Sequence, residues 1–93
     1  MSYSIVPSTR FKKALKKHLK NPLERKSIFD VIELLKTGGF DSVPQKMKPH
    51  KLIGNYNGCL ECHIMPDLLL IWEQDEAEME IYLLDIGSHS ELF

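Results

Sequence analysis

Apolar positions along the chain fall into two periods. Phe11, Ala14, Leu15, His18 and Leu19 recur at i, i+3, i+4, i+7 and i+8, the spacing of one helical face, with Lys12, Lys13, Lys16, Lys17 and Lys20 spread around the others. Ser8 or Thr9 supplies the N-cap of this helix. Asn21-Pro22 starts a second helix, with Asn21 as cap and proline at the first helical position, where a missing N–H costs nothing. Ile28, Val31, Ile32 and Leu35 form its apolar face, and Gly38-Gly39 stop it after Thr37. The short junction predicts an antiparallel helical hairpin. Elsewhere the period drops to two. Tyr3 to Val6 reads as a strand ended by Pro7, and Gly38 to Pro49 as a loop. Cys59 to Met65 alternates, with Leu60, Cys62 and Ile64 on one side and Cys59, Glu61, His63 and Met65 on the other. Pro66-Asp67 is a tight turn into the strongly apolar strand Leu68 to Glu73. Gln74 to Glu78 is an acidic hairpin loop, and Met79, Ile81 and Leu83 alternate with Glu80, Tyr82 and Leu84 in a last strand, from which Gly87 releases a short tail. The predicted fold is α+β, in the order β-α-α-β-β-β: an antiparallel sheet covered on one face by the helical hairpin, with the other face free for a site.

Composition adds bounds. Ninety-three residues, 43% hydrophobic and 27% charged, suit one soluble domain spanning residues 1–93. The N-terminal residues have no signal-peptide pattern, and the run Leu68 to Trp72 is too short to cross a bilayer. Two cysteines without a secretory signal predict reduced thiols and a cytoplasmic protein. The net charge of −1 conceals a sharp division. All 12 Lys and Arg lie in residues 1–51 with only Glu24, Asp30, Glu33 and Asp41 against them, whereas residues 52–93 are purely acidic. Such asymmetry points to a polyanionic partner on the basic side, or to a solvated helix face balanced by an acidic sheet edge.

Three of the four histidines fall around strand ends, at His50, His63 and His89. Histidine gives or takes a proton near neutral pH, so the concentration suggests acid–base chemistry. Lys46, Lys48 and Lys51 cluster around His50 as a phosphate-facing group. Cys59-Leu60-Glu61-Cys62-His63 matches the C-x-x-C-H haem-attachment pattern, but a strand puts residues three apart on opposite faces. A zinc site from Cys59, His63, His50 and His89 is a further reading. Both cysteines as small buried hydrophobes is preferred to either. Tyr56, Trp72, Tyr82 and Phe93 could stack on bases, although Trp72 sits in the most apolar strand and reads as core.

Taken together, His50-x-Leu52-x-Gly54, Glu61-Cys62-His63-Ile64-x-Pro66-Asp67-x-Leu69-Leu70-Ile71 and Gly87-Ser88-His89-Ser90-Glu91-Leu92-Phe93 resemble the YafQ group of the RelE/ParE superfamily of bacterial type II toxins. The resemblance implies a RelE-like fold and a ribosome-dependent mRNA endonuclease held inactive by a cognate antitoxin. It implies metal-free chemistry with no cofactor, in which the ribose 2′-OH attacks the adjacent phosphate. By position it carries the site onto His50, His63, Asp67, His89 and Phe93. His50 would be the base and His89 the acid. His63 with Asp67 would support the phosphate and orient the imidazoles, and Phe93 would position a base. Two positions depart from the pattern: Leu60 and Asp85 stand where relatives usually carry arginine, which leaves Lys48, Lys51 or His63 to meet the phosphate charge. The alternative is a superfamily member that acts only by binding a protein, whether a ParE-type target or an antitoxin.

Overall fold

The computed structural model describes residues 2–93. Strand β1 (Ser4–Pro7) leads into helix α1 (Thr9–His18) and helix α2 (Pro22–Gly38). After short 3-10 turns come strands β2 (His50–Lys51), β3 (Leu60–Met65), β4 (Leu68–Asp75) and β5 (Glu80–Gly87), and the chain ends in one helical turn, α3 (His89–Leu92). The caps are those the residue types demand. Ser8 Oγ accepts the Phe11 N–H at 3.0 Å, and Asn21 Oδ1 accepts those of Leu23 and Glu24 at 3.0 and 3.2 Å. Gly39 closes α2 at φ +65°, where a side chain would be strained, and its Cα packs so closely on Gln74 that a Cβ would meet the amide at 2.7 Å.

The sheet order is β1-β5-β4-β3-β2. The meander β3-β4-β5 is antiparallel, as the alternation predicts, and β2 adds an antiparallel edge, but β1 lies parallel to β5 at the other edge. The helices bury one face. Phe11, Ile28, Val31 and Leu35 meet Leu60, Cys62, Ile64, Leu70, Trp72, Ile81 and Leu83 there. At about 25 cal/mol per Å² of apolar surface removed from water, this layer is the dominant favourable term for the fold. The opposite face is not wholly free. Cys59, Leu69, Ile71 and Leu92 form a smaller cluster there, flanked by Leu52, Tyr56 and Leu84, so the tail docks back onto the sheet.

Cys59 and Cys62 therefore sit in different clusters on opposite sides of the sheet, as their odd spacing requires. Burial pushes the Cys62 thiol up to about 12, the behaviour of an inert core thiol. Two bulges shift the register. One, between His63 and Met65, turns Met65 from the side predicted for it to the helix-side core. The other, opposite Ile71 and Trp72, inserts Leu84. Beyond it Asp85 no longer follows the alternation and pairs with Arg10 of α1 at 2.8 Å.

Candidate functional site

The site is built by one rung of the sheet. Leu69 of β4 lies opposite His63 on β3 and opposite Gly87 on β5, so the end of β5 is carried to the β3–β4 turn. The chain then turns at Ser88, whose hydroxyl accepts the Glu91 N–H at 3.3 Å while Glu91 Oε1 accepts the Ser88 N–H at 2.8 Å. This capping box converts the predicted tail into a helical turn. Gly87 has to be glycine for the box to close, because a Cβ there would meet Glu91 Oε1 at 2.8 Å.

His89, the first residue of α3, is fixed by the turn residue Asp67. One carboxylate oxygen accepts the His89 backbone N–H at 3.0 Å and lies 3.1 Å from ring Nδ1. The backbone N–H of His89 first, and its ring second, hold the Asp67 carboxyl below the usual carboxylate range. With Nδ1 carrying the hydrogen toward Asp67, Nε2 is the nitrogen left for a substrate.

His50 is held differently. Read as a loop residue from sequence, it lies on the edge strand β2 opposite Glu61. Its Nδ1 donates to the Lys48 carbonyl at 2.7 Å, and its Nε2 lies 3.1 Å from Glu61 Oε1. His63 Nε2 is 3.8 Å from the same oxygen, beyond hydrogen-bond length. The rings form a continuous row: His50 to His63 is 6.3 Å between centroids, His63 to His89 5.6 Å, and His89 to Phe93 6.4 Å. Tyr56 ends the row, edge-on to Phe93 at 5.5 Å, with its hydroxyl donating to the Leu92 carbonyl at 3.3 Å. Residues separated by up to 43 positions in sequence thus share one face of the sheet, and His50, His63, Asp67, His89 and Phe93 are all in the group.

The lysines divide. Lys46 and Lys48 line a cleft that reaches His63. Lys51 is paired with Leu60, so strand alternation puts its side chain on the helix side of the sheet, opposite His50. Of the two departures from the resemblance, Leu60 is in the helix-side core, and Asp85, opposite Ile71, is engaged by Arg10. Trp72 is core, as read, and the edge-on partner of Phe40.

Glu61 is the member that sequence reasoning missed. Its side chain is 4% exposed, it lies between His50 and His63, and its Oε2 has no hydrogen-bond partner. The signal was available: Glu61 is two residues from His63 on the same side of an otherwise apolar strand. Orphaned buried carboxylate oxygens cost stability, so Glu61→Met is expected to raise stability by about 1–2 kcal/mol. The same substitution removes the carboxylate facing His50, so acid–base chemistry that uses this ring is expected to fall by roughly 10²-fold. Denaturant unfolding and an activity assay on one preparation check both signs. Lower stability with full activity would make Glu61 a purely structural residue.

A mixed five-stranded sheet with a helical hairpin on one side is the RelE-like fold of the YafQ toxins. YafQ from E. coli strain BL21(DE3) has this fold at a TM-score of 0.86, with 23% identity over 98% of each chain. A metal-bound toxin from Helicobacter pylori matches at 0.82, with 36% identity over the full length of both chains. E. coli YafQ in its complex with DinJ matches at 0.84, with 24% identity over 100% and 99% of the chains. The family model for YafQ, the bacterial toxin of type II toxin–antitoxin systems, matches residues 3–93, and the chain belongs to that family. A search of curated proteins finds no match. Among the described residues, no helix is long and apolar enough to cross a membrane, and no group of three His, Cys, Asp or Glu side chains is arranged to hold a metal ion.

Proposed function

We propose that this toxin is an mRNA endonuclease that cuts within translating ribosomes in the cytoplasm by metal-free transesterification, and that a cognate antitoxin restrains it. The observation that carries the reading is the row His50–His63–His89–Phe93, whose neighbouring rings are 5.6–6.4 Å apart on one accessible face. A general base and a general acid each need to come within about 3 Å of the atom they serve. Rings at this spacing suit the two ends of one phosphodiester.

In this mechanism the 2′-oxygen attacks phosphorus while its proton passes to His50 Nε2, with Nδ1 bound to the Lys48 carbonyl and the buried Glu61 carboxylate stabilising the positive charge the ring gains. The bond from phosphorus to the 5′-oxygen breaks as His89 Nε2 delivers a proton to that oxygen. Asp67 keeps His89 turned so that Nε2, not Nδ1, faces the leaving group. His63, between the two, meets the phosphate with Lys48, and Phe93 stacks against a base. The basic residues of α1 meet ribosomal RNA through phosphates, which need no sequence reading. An antitoxin partner is supported by the E. coli relative, whose structure is known in complex with the antitoxin DinJ.

The test is the chemistry of the ends. Purified protein added to ribosomes translating a defined mRNA is expected to leave a 2′,3′-cyclic phosphate upstream of each cut and a 5′-hydroxyl downstream. Intact mRNA, or 3′-hydroxyl and 5′-phosphate ends, would overturn the mechanism.

A further inference from the structure

Strand β3 runs for six residues, but its outer neighbour β2 pairs only with Leu60 and Glu61. From Cys62 onward the outer edge of β3 has no strand beside it, and the turn Gln45–Met47 packs alongside instead. Beside this edge lies an open cleft of about 590 Å³, within the range of sites that hold small ligands. Met47, Ile64, Met65 and Pro66 give it an apolar lining, and Lys46, Lys48, His63 and Ser27 of α2 supply its polar side chains. Neither lysine has an ion-pair partner among the described residues. Lys48 is held at φ +52°, a left-handed conformation unusual for a lysine, and its carbonyl takes the hydrogen bond that orients His50.

We propose that this cleft is a nucleotide subsite: it receives the base of a nucleotide adjacent to the scissile phosphate and sets which base is accepted next to the cut. The proposal rests on the nuclease reading for its place in the reaction. It stands separately on the cleft's own chemistry. Thioether and proline surfaces suit the flat face of a nucleobase. The polar side chains of Ser27 and His63 offer donors and acceptors to the base's polar edge, which is where discrimination between bases arises, and the two uncompensated lysines suit its phosphate. His63 belongs to both cleft and row, so it is the residue through which a nucleotide seated at the strand edge would meet the imidazoles.

The test uses isotope-labelled full-length protein titrated with AMP, CMP, GMP and UMP, with ribose 5-phosphate as the baseless control. At least one nucleoside monophosphate is expected to move the amide signals of Ser27, Lys46 and Met65, and ribose 5-phosphate to move them far less. Ser27→Trp, which fills cleft volume from a helix residue outside the catalytic row, is expected to weaken that binding roughly tenfold and to flatten the base preference beside the cut. Lys46→Glu, on an exposed turn, serves if the tryptophan variant misfolds. Equal shifts with ribose 5-phosphate would reduce the cleft to an anion site and overturn the proposal. So would shifts seen only on adding the antitoxin, which would make this edge a protein-docking strand. Nucleotide binding in a protein that leaves mRNA intact would sink the nuclease reading and keep the subsite. Cyclic-phosphate ends with an unchanged base preference in Ser27→Trp, and no nucleotide binding, would do the reverse.

Discussion

His89→Ala is expected to lower mRNA cleavage in translating ribosomes by about 10²–10⁴-fold, the range contributed by a positioned general acid. The His89 side chain is more than half exposed and lies outside both apolar clusters, and the capping box that folds α3 uses Ser88 and Glu91 instead. Its removal is therefore expected to change stability by no more than about 0.5 kcal/mol. Asp67→Ala separates anchoring from chemistry. It leaves the imidazole in place but removes the acceptor for both its backbone N–H and its Nδ1, so cleavage is expected to fall by a smaller factor, roughly 10–10²-fold. The same contact fixes a pH dependence. The Asp67 carboxyl is lowered by its bonds from His89, so the anchor contributes fully above the unfolded carboxylate value of about 3.9 and is lost as pH falls through the lowered folded value. The cross-link from turn to tail should therefore persist across the whole range in which ribosomes translate. NMR of the His89 ring from pH 3 to 8, alongside cleavage assays of the two variants, checks the ordering. Full cleavage by His89→Ala would end the acid assignment.

Much of this arrangement was legible in residue order, and what was not has physical causes. Helix faces and caps follow local rules, so Phe11, Ile28, Val31 and Leu35 are buried as their spacing predicts, and Ser8 and Asn21 cap where their side chains can reach an N–H. The separation of Cys59 from Cys62 is equally local, being alternation along one strand. Pairing is not local. Nothing in Tyr3 to Val6 says that this segment will lie parallel to β5 at the sheet's edge, because that contact is decided by a helical crossover and by which edge remains open. Bulges escape for a related reason. A period-two reading carries Met65 to the wrong side and gives no account of Asp85, since one inserted residue inverts every later position. His50 on a two-residue edge strand is below the length at which periodicity means anything. The helical turn at the tail was a different kind of miss: Ser88-His89-Ser90-Glu91 spells a capping box, and the apolar run that normally announces a helix is absent. Glu61 was overlooked because a single acid in a strand ordinarily faces water. Only the presence of β2 over it makes it a buried partner of two imidazoles.

Trp72→Ala is expected to produce the largest loss of stability, about 3–5 kcal/mol, because it deletes a fully buried aromatic side chain. The indole packs edge-on against Phe40 at 6.3 Å and donates its N–H to Gln74 Oε1 at 3.3 Å, so truncation removes both apolar contacts and a bonded polar group. For a chain of this length total stability is on the order of 5–14 kcal/mol, and the variant would forfeit roughly a fifth of it or more. Midpoints should fall by at least ~12 °C on a scale of 4–8 °C per kcal/mol. Trp72→Phe, which keeps most of the ring but not the N–H, should lose markedly less. The position also lies at the bulge where β5 slips relative to β4, opposite Leu60 on one neighbour and Leu83 on the other. Its side chain nonetheless points to the helices, on the face away from His50, His63 and His89. At a temperature where both proteins are folded, Trp72→Ala should therefore keep most of its cleavage, whereas His89→Ala keeps its fold and loses the reaction. The two variants trade places between a thermal melt and a cleavage gel only if the sheet separates its work by face, with the helix side maintaining the fold and the other side presenting the imidazoles. A folded Trp72→Ala that cannot cut, with its ring contacts His63–His89 intact by NMR, would break that division.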